Sequence, residues 1–160
     1  MDITIEKMTS KHLEQIKDIL QEQFDEFWNE NVLRKELENP LSDYIVAISN
    51  NEVVGYAGIW QPLDEGHITN IVTKKDKRNN HIGQEMLEKL IDIAINKKLK
   101  YVTLEVNVHN KIAIELYKKY EELKHIHSFI LPDSRKLPCG TYAKRSLVFS
   151  FKEISLQFSK

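Results

Sequence analysis

The stretch from His67 to Ile95, HITNIVTKKDKRNNHIGQEMLEKLIDIAI, constrains this chain more than any other. It reads as a buried strand, a basic loop and a long helix. Ile68, Ile71 and Val72 give residues 67–72 the β-branched character of a strand. Lys74, Lys75, Asp76, Lys77, Arg78, Asn79 and Asn80 are too polar to be buried and form the connection. The helix opens near Ile82 and Gly83. Leu87, Leu90, Ile91 and Ala94 then recur at i, i+3, i+4 and i+7 on one apolar face. A helix start carries unpaired backbone N–H groups and the positive end of the macrodipole. A loop feeding that start is an anion site suited to phosphate. Gly83 lets a ligand approach the backbone, and Lys74, Lys75, Lys77 and Arg78 add positive charge. On these residues alone a solvated turn is the slightly simpler reading, because neither G-x-x-x-x-G-K-[ST] nor G-x-G-x-x-G is present.

The remainder of the chain frames this unit. Ile3 and Ile5 alternate with polar neighbours in a short strand. Thr9 or Ser10 caps a helix marked by Leu13, Ile16, Leu20 and Phe24. Phe27 and Trp28 stand in a break. A second helix carries Val32, Leu33 and Leu37 up to Asn39-Pro40. Residues 44–48 and 53–60 read as a hairpin turned at Asn50-Asn51, with Gly55 and Gly58 marking a close approach or a bulge. In the strand 101–106, Tyr101, Thr103 and Glu105 face one side and Val102, Leu104 and Val106 the other. A carboxylate in a central strand is costly unless paired, solvated or neutralised, which singles out Glu105. Asn110 caps a helix over residues 111–120, where Ala113, Tyr117 and Tyr120 share a face. Spacing alone makes Tyr117 a core residue. Two last strands are expected, over residues 125–131 and 146–151.

A length of 160 residues suits one domain spanning 1–160. The 23 Lys and Arg against 24 Asp and Glu leave a net charge of −1, which argues against a general nucleic-acid binder. The single Cys139 excludes an internal disulfide and fits a reducing compartment. No basic start, no apolar leader and no run of about 20 apolar residues is seen, so a cytoplasmic protein without a membrane span is expected. His67, His81 and His109 lack metal-ligand spacing. No metal is expected, and His67 reads as a hydrogen-bonded structural histidine.

Arg78-Asn79-Asn80-His81-Ile82-Gly83 resembles the R-x-x-G-x-G/A loop of the GNAT acetyltransferase superfamily. Residues 55–60 and 64–71, then Leu104-Glu105-Val106, Asn110, Ala113 and Leu116-Tyr117, resemble its branch of bacterial ribosomal-protein-alanine N-acetyltransferases. The likeness covers roughly residues 1–120. It implies an α/β (α+β) fold with a mixed, mostly antiparallel sheet of about six to seven strands and about four helices. In that fold two central strands splay beyond a bulge and admit acetyl-CoA. The resemblance assigns pantetheine to the backbone of Ile71, Val72 and Thr73. It assigns the pyrophosphate to Arg78, Asn79, Asn80, His81, Ile82, Gly83 and Gln84, with Asn110 helping to hold the cofactor. Glu105 becomes the general base, directly or through water, and Tyr117 the general acid on the departing thiolate. The acceptor is then a protein N-terminus, an N-terminal alanine of a ribosomal protein, and the protein a monomer or weak dimer. Asp64 and Glu65 border the acceptor mouth, where they could attract a cationic N-terminus. Phe27 and Trp28 border the same groove, though such aromatics more often close the core. Three departures stand out. His81 replaces the first loop glycine, where it crowds phosphate, adopts positive φ or donates a hydrogen bond. Asn107 and His109 stand where the branch has Arg and Ser. Glu121-Glu122 replaces Gly-Phe. A non-catalytic acetyl-CoA-binding module and a small-amine acetyltransferase are the alternatives.

Overall fold

The computed structural model describes residues 2–24, 28–107, 109–124, 128–131 and 144–150. Phe27 and Cys139 lie outside these residues. The order of elements is β1 (Thr4–Lys7), α1 (Ser10–Ile16), α2 (Leu20–Phe24), α3 (Glu30–Glu38), β2 (Ser42–Ser49), β3 (Glu52–Trp60) and β4 (Glu65–Thr73). A short 3₁₀ turn (Lys75–Lys77) leads to α4 (Ile82–Asn96), β5 (Tyr101–Asn107), α5 (Lys111–Lys124), β6 (Ser128–Leu131) and β7 (Lys144–Ser150). The strands form one seven-stranded sheet in the order β1-β2-β3-β4-β5-β7-β6. Among the described residues only the β4–β5 pair is parallel. The mixed, mostly antiparallel sheet that the family resemblance implies is present.

Helix α4 covers one face of the sheet. Its Ile82, Met86, Leu87, Leu90, Ile91 and Ala94 are buried against Ile45, Ala57, Ile59, Ile68 and Leu104. A fully buried Leu or Ile contributes roughly 1.5–3 kcal/mol, so this stripe is a principal source of stability. The other face is covered over β2 and β3 by α1, α2 and α3, whose Leu13, Ile16, Leu20, Phe24 and Leu33 pack on Tyr44, Val46 and Tyr56. Trp28 packs on the edge of this cluster, in keeping with its reading as a core lid.

Two details differ from the sequence reading. The first amphipathic helix is two helices, because Ile19 N–H bonds three residues back to Ile16 O at 3.0 Å and tightens the ladder. The apolar stripe survives the break, but the described residues hold five α-helices rather than four. Secondly, both hairpin residues Asn50 and Asn51 take positive φ, 51° and 63°, which matches strand twist and explains the paired asparagines. Among the described residues no helix is long and apolar enough to cross a membrane.

Candidate active site

The site begins with one extra residue. Along β3 and β4, Gly58 pairs with Asn70 and Ile59 with Ile68, so Thr69 is a bulge with no partner on β3. A bulge bends its strand and increases local twist. The parallel β4–β5 ladder runs from Glu65↔Tyr101 to Ile68↔Leu104 and ends there. From Glu105 to Asn107, β5 stays paired with β7 instead. The two central strands therefore part at the step where Thr69 would have faced Glu105. Residues 70–73 run along the open side of the resulting slot.

A cleft of about 720 Å³ lies along the open side of β4 at residues 71–73, bounded by the loop and start of α4 and by α5. Its walls include Ile71, Val72, Thr73, Arg78, Asn79, His81, Ile82, Gly83, Gln84, Asn110 and Tyr117. Twelve of the thirteen positions singled out above are thus placed in one of two ways: eleven line one cleft, and Glu105 stands at the parting of the strands. Asn80 is the exception. Its Nδ2 donates to Lys77 O at 3.0 Å and Arg78 O at 3.2 Å, so it shapes the loop and does not line the cleft. Phe24, Lys77, Ile112, Ala113 and Leu116 complete the wall. Lys77 was visible as part of the basic loop. Ile112, 73 % exposed at the start of α5, carried no signal in the sequence.

The α4 start has the geometry of an anion site. Glu85 N–H bonds to His81 O at 3.1 Å, which leaves the amides of Ile82, Gly83 and Gln84 as the open donors of the first turn. Gly83 is not required by packing. A Cβ there would lie 3.6 Å from Leu116 and 3.9 Å from Ile71 and Thr73, all ordinary contacts. His81 caps the helix at φ 60° and ψ 7°, the left-handed conformation that a glycine adopts without strain. His81→Gly is expected to raise stability by about 1 kcal/mol and to tighten or preserve acetyl-CoA binding. Calorimetry and thermal melting check this. A clear loss of affinity would make His81 a phosphate ligand.

Asn110 Oδ1 accepts from Ala113 N–H at 3.1 Å and caps α5. That helix presents Tyr117 to the cleft. The phenol is 8 % exposed, and burial pushes its pKa up to about 12. Tyr117 is therefore both a core residue, as spacing alone suggests, and a wall of the cleft.

Glu105 is exposed and projects from the opposite face of the sheet, because its neighbours Leu104 and Val106 are buried under α4. This face also carries Trp60, His67 and Thr103. His67 Nδ1 shares a 2.5 Å hydrogen bond with Thr103 Oγ1, its Nε2 lies 3.5 Å from Glu65 Oε2, and its ring stacks 5.5 Å from Trp60. His67 is the bonded structural histidine anticipated. The acids at the β3–β4 turn are already engaged. Lys100 pairs with Asp64 and holds its carboxyl below the usual range, while a hydrogen bond to Glu65 raises the Tyr101 phenol. Among the described residues no group of three or more His, Cys, Asp or Glu side chains could hold a metal ion.

The model of the Acetyltransferase (GNAT) family matches residues 13–121. A putative ribosomal protein bS18-alanine N-acetyltransferase of Bacillus subtilis is 30 % identical over 117 residues, 72 % of this chain and 78 % of that protein. The crystal structure of the ribosomal-protein-S18-alanine N-acetyltransferase from Escherichia coli superposes with a TM-score of 0.76 at 21 % identity, covering 93 % of this chain and 94 % of that one. The PaiA N-acetyltransferase from Thermoplasma acidophilum, solved in complex with coenzyme A, gives 0.73 at 13 % identity over 94 % and 100 % of the two chains. The bulged, parted strands, the helix-start loop and the matched sequence agree, and the chain belongs to the GNAT acetyltransferase family as an acetyl-CoA-dependent N-acetyltransferase.

Proposed function

We propose that the protein acetylates the α-amine of a protein N-terminus, with an N-terminal alanine of a ribosomal protein as its acceptor. The observation that carries this is the parting of β4 and β5 at Glu105, with a cleft along residues 71–73 on one face and a carboxylate on the other. The names of the Bacillus subtilis and Escherichia coli relatives support the choice of acceptor.

In this reading the pyrophosphate sits on the helix-start amides of Ile82, Gly83 and Gln84, framed by Arg78, Asn79 and His81. Pantetheine pairs with the open backbone of Ile71, Val72 and Thr73, and Asn110 supports it from the start of α5. The amine approaches from the face that bears Glu105. Glu105 takes a proton from the ammonium group, directly or through water. The freed amine attacks the thioester carbonyl, the C–N bond forms and the C–S bond breaks.

Tyr117 faces the leaving sulfur. A phenol with a pKa of about 12 cannot transfer its proton fully to a thiolate of pKa near 8.5 without a cost of roughly 5 kcal/mol. Tyr117 accordingly acts as a hydrogen-bond donor that stabilises the developing thiolate. The acceptor also fits the acid–base demand. Freeing an α-amine of pKa about 8 at pH 7 costs about 1.4 kcal/mol, against roughly 4.6 for a lysine ε-amine. One carboxylate suffices for the smaller task, and most of the rate comes from holding amine and thioester together.

The test is incubation with acetyl-CoA and peptides bearing a free N-terminal alanine. Mass spectrometry is expected to place the acetyl group on the α-amine. Modification confined to an internal lysine would overturn the assignment.

A further inference from the structure

We infer that Tyr44 is a positioning residue that sets the width of the reaction slot through the bulge at Thr69. This rests on the reading of the slot as the meeting place of acetyl-CoA and amine.

Tyr44 lies on β2, two strands away from the slot, and is 2 % exposed. Its register partner on β3 is Gly58, and its ring lies across that glycine. A Cβ on residue 58 would come within 2.3 Å of the ring, so only glycine permits the crossing. The hydroxyl thereby reaches β4 and shares a 2.9 Å hydrogen bond with Thr69 Oγ1. Thr69 in turn bonds to Asn70 Oδ1 at 3.3 Å. A side chain from one strand thus crosses a bare position on the next and holds the bulged residue of the third.

That residue is the one at which β4 leaves β5. A bulge has no ladder partner to hold its conformation, so a side-chain tether decides how far the strand bends. The tether therefore controls the gap between residues 69–73, where the thioester lies, and Glu105, which receives the amine. Attack geometry is sensitive to displacements of an ångström or less. Neither Tyr44 nor Thr69 needs to touch the reacting atoms for this.

The experiment compares Tyr44→Phe, Thr69→Val, their double variant and Thr69→Ser with the parent. Saturating turnover on an N-terminal alanine peptide, acetyl-CoA affinity, thermal melting and amide hydrogen exchange are measured on each. Tyr44→Phe keeps the ring over Gly58 and removes only the hydroxyl. Each single loss of the hydrogen bond is expected to lower kcat about 10-fold, and the double variant to lower it no further, since one bond is being removed. Thr69→Ser keeps the hydroxyl and should retain the parental rate. Exchange should quicken at the amides of residues 69–73 and not in α4. Parental kcat in Tyr44→Phe, or losses that multiply in the double variant, would overturn the inference whatever the melting temperature does. If the parent itself acetylates no N-terminal peptide, the acceptor reading fails. Hydrogen exchange then decides the tether independently: unchanged protection of residues 69–73 in Tyr44→Phe overturns it.

Discussion

Glu105→Gln is expected to lower kcat by about 10²–10⁴-fold while acetyl-CoA affinity and melting temperature stay near those of the parent. The side chain is exposed and stands outside the cleft wall, so an isosteric amide disturbs neither the core nor the cofactor. Exposed substitutions of this kind usually change stability by no more than about 0.5 kcal/mol. In the proposed mechanism the amide removes the proton acceptor at the point where the strands part. The deficit should also depend on pH. As pH rises past the acceptor's own pKa of about 8, the amine loses its proton without help, and the gap between variant and parent narrows. Steady-state turnover at pH 7 and pH 9, with melting curves on the same samples, checks this. A variant that melts earlier but turns over normally would make Glu105 a structural carboxylate.

Tyr117→Phe is expected to cost about 10²–10³-fold in kcat, the loss of one hydrogen-bond donor to a developing anion, again with acetyl-CoA affinity largely intact. The substitution removes one hydroxyl from a buried ring that lines the cleft. Its effect need not add to that of Glu105→Gln, because both groups serve one reaction sequence. The same pair of proteins offers a second readout. The folded phenol has its pKa raised to about 12, above the ordinary value of 10.0. Below pH 10 the phenol is protonated in both folded and unfolded chains. Between about pH 10 and 12 the unfolded chain loses the proton first, so stability falls as pH rises, by up to roughly 2.7 kcal/mol. Tyr117→Phe should lack this alkaline component of the loss. Near-parental kcat together with the altered alkaline melt would leave Tyr117 a core residue only.

The comparison of Glu105 with Thr69 separates what is legible locally from what is not. Alternation in β5 alone sets Glu105 opposite Val102, Leu104 and Val106, because strand side chains alternate with a period of two. The helical period of α4, the loop feeding its start and the Asn50-Asn51 turn are legible for the same reason: each is a property of a few neighbouring residues. His81 is visible as an anomaly, and its left-handed φ of 60° is the strain that the missing glycine foretells. The break between α1 and α2 is not visible, since the spacing of Leu13, Ile16, Leu20 and Phe24 fits a continuous helix equally well.

The chain's own sequence thus determined its elements, their buried faces and the family loop at α4. Tertiary structure decided the rest of the site. Thr69-Asn70 reads as ordinary strand, and its bulge shows only in the pairing with Gly58 and Ile59 of β3, where Tyr44 from β2 bonds to Thr69. Asp64 reads as an acid bordering the acceptor mouth, and only the fold brings Lys100 beside it. Asn80 reads as a phosphate contact, and only the folded loop shows its side-chain amide turned onto the Lys77 and Arg78 carbonyls. Phe24 and Ile112 enter the cleft wall because the fold brings α2 and α5 to the same cleft. Periodicity records which side of an element is buried. Which elements meet, and whether a ladder gains one residue, depend on packing between segments distant in sequence, and no local pattern encodes that.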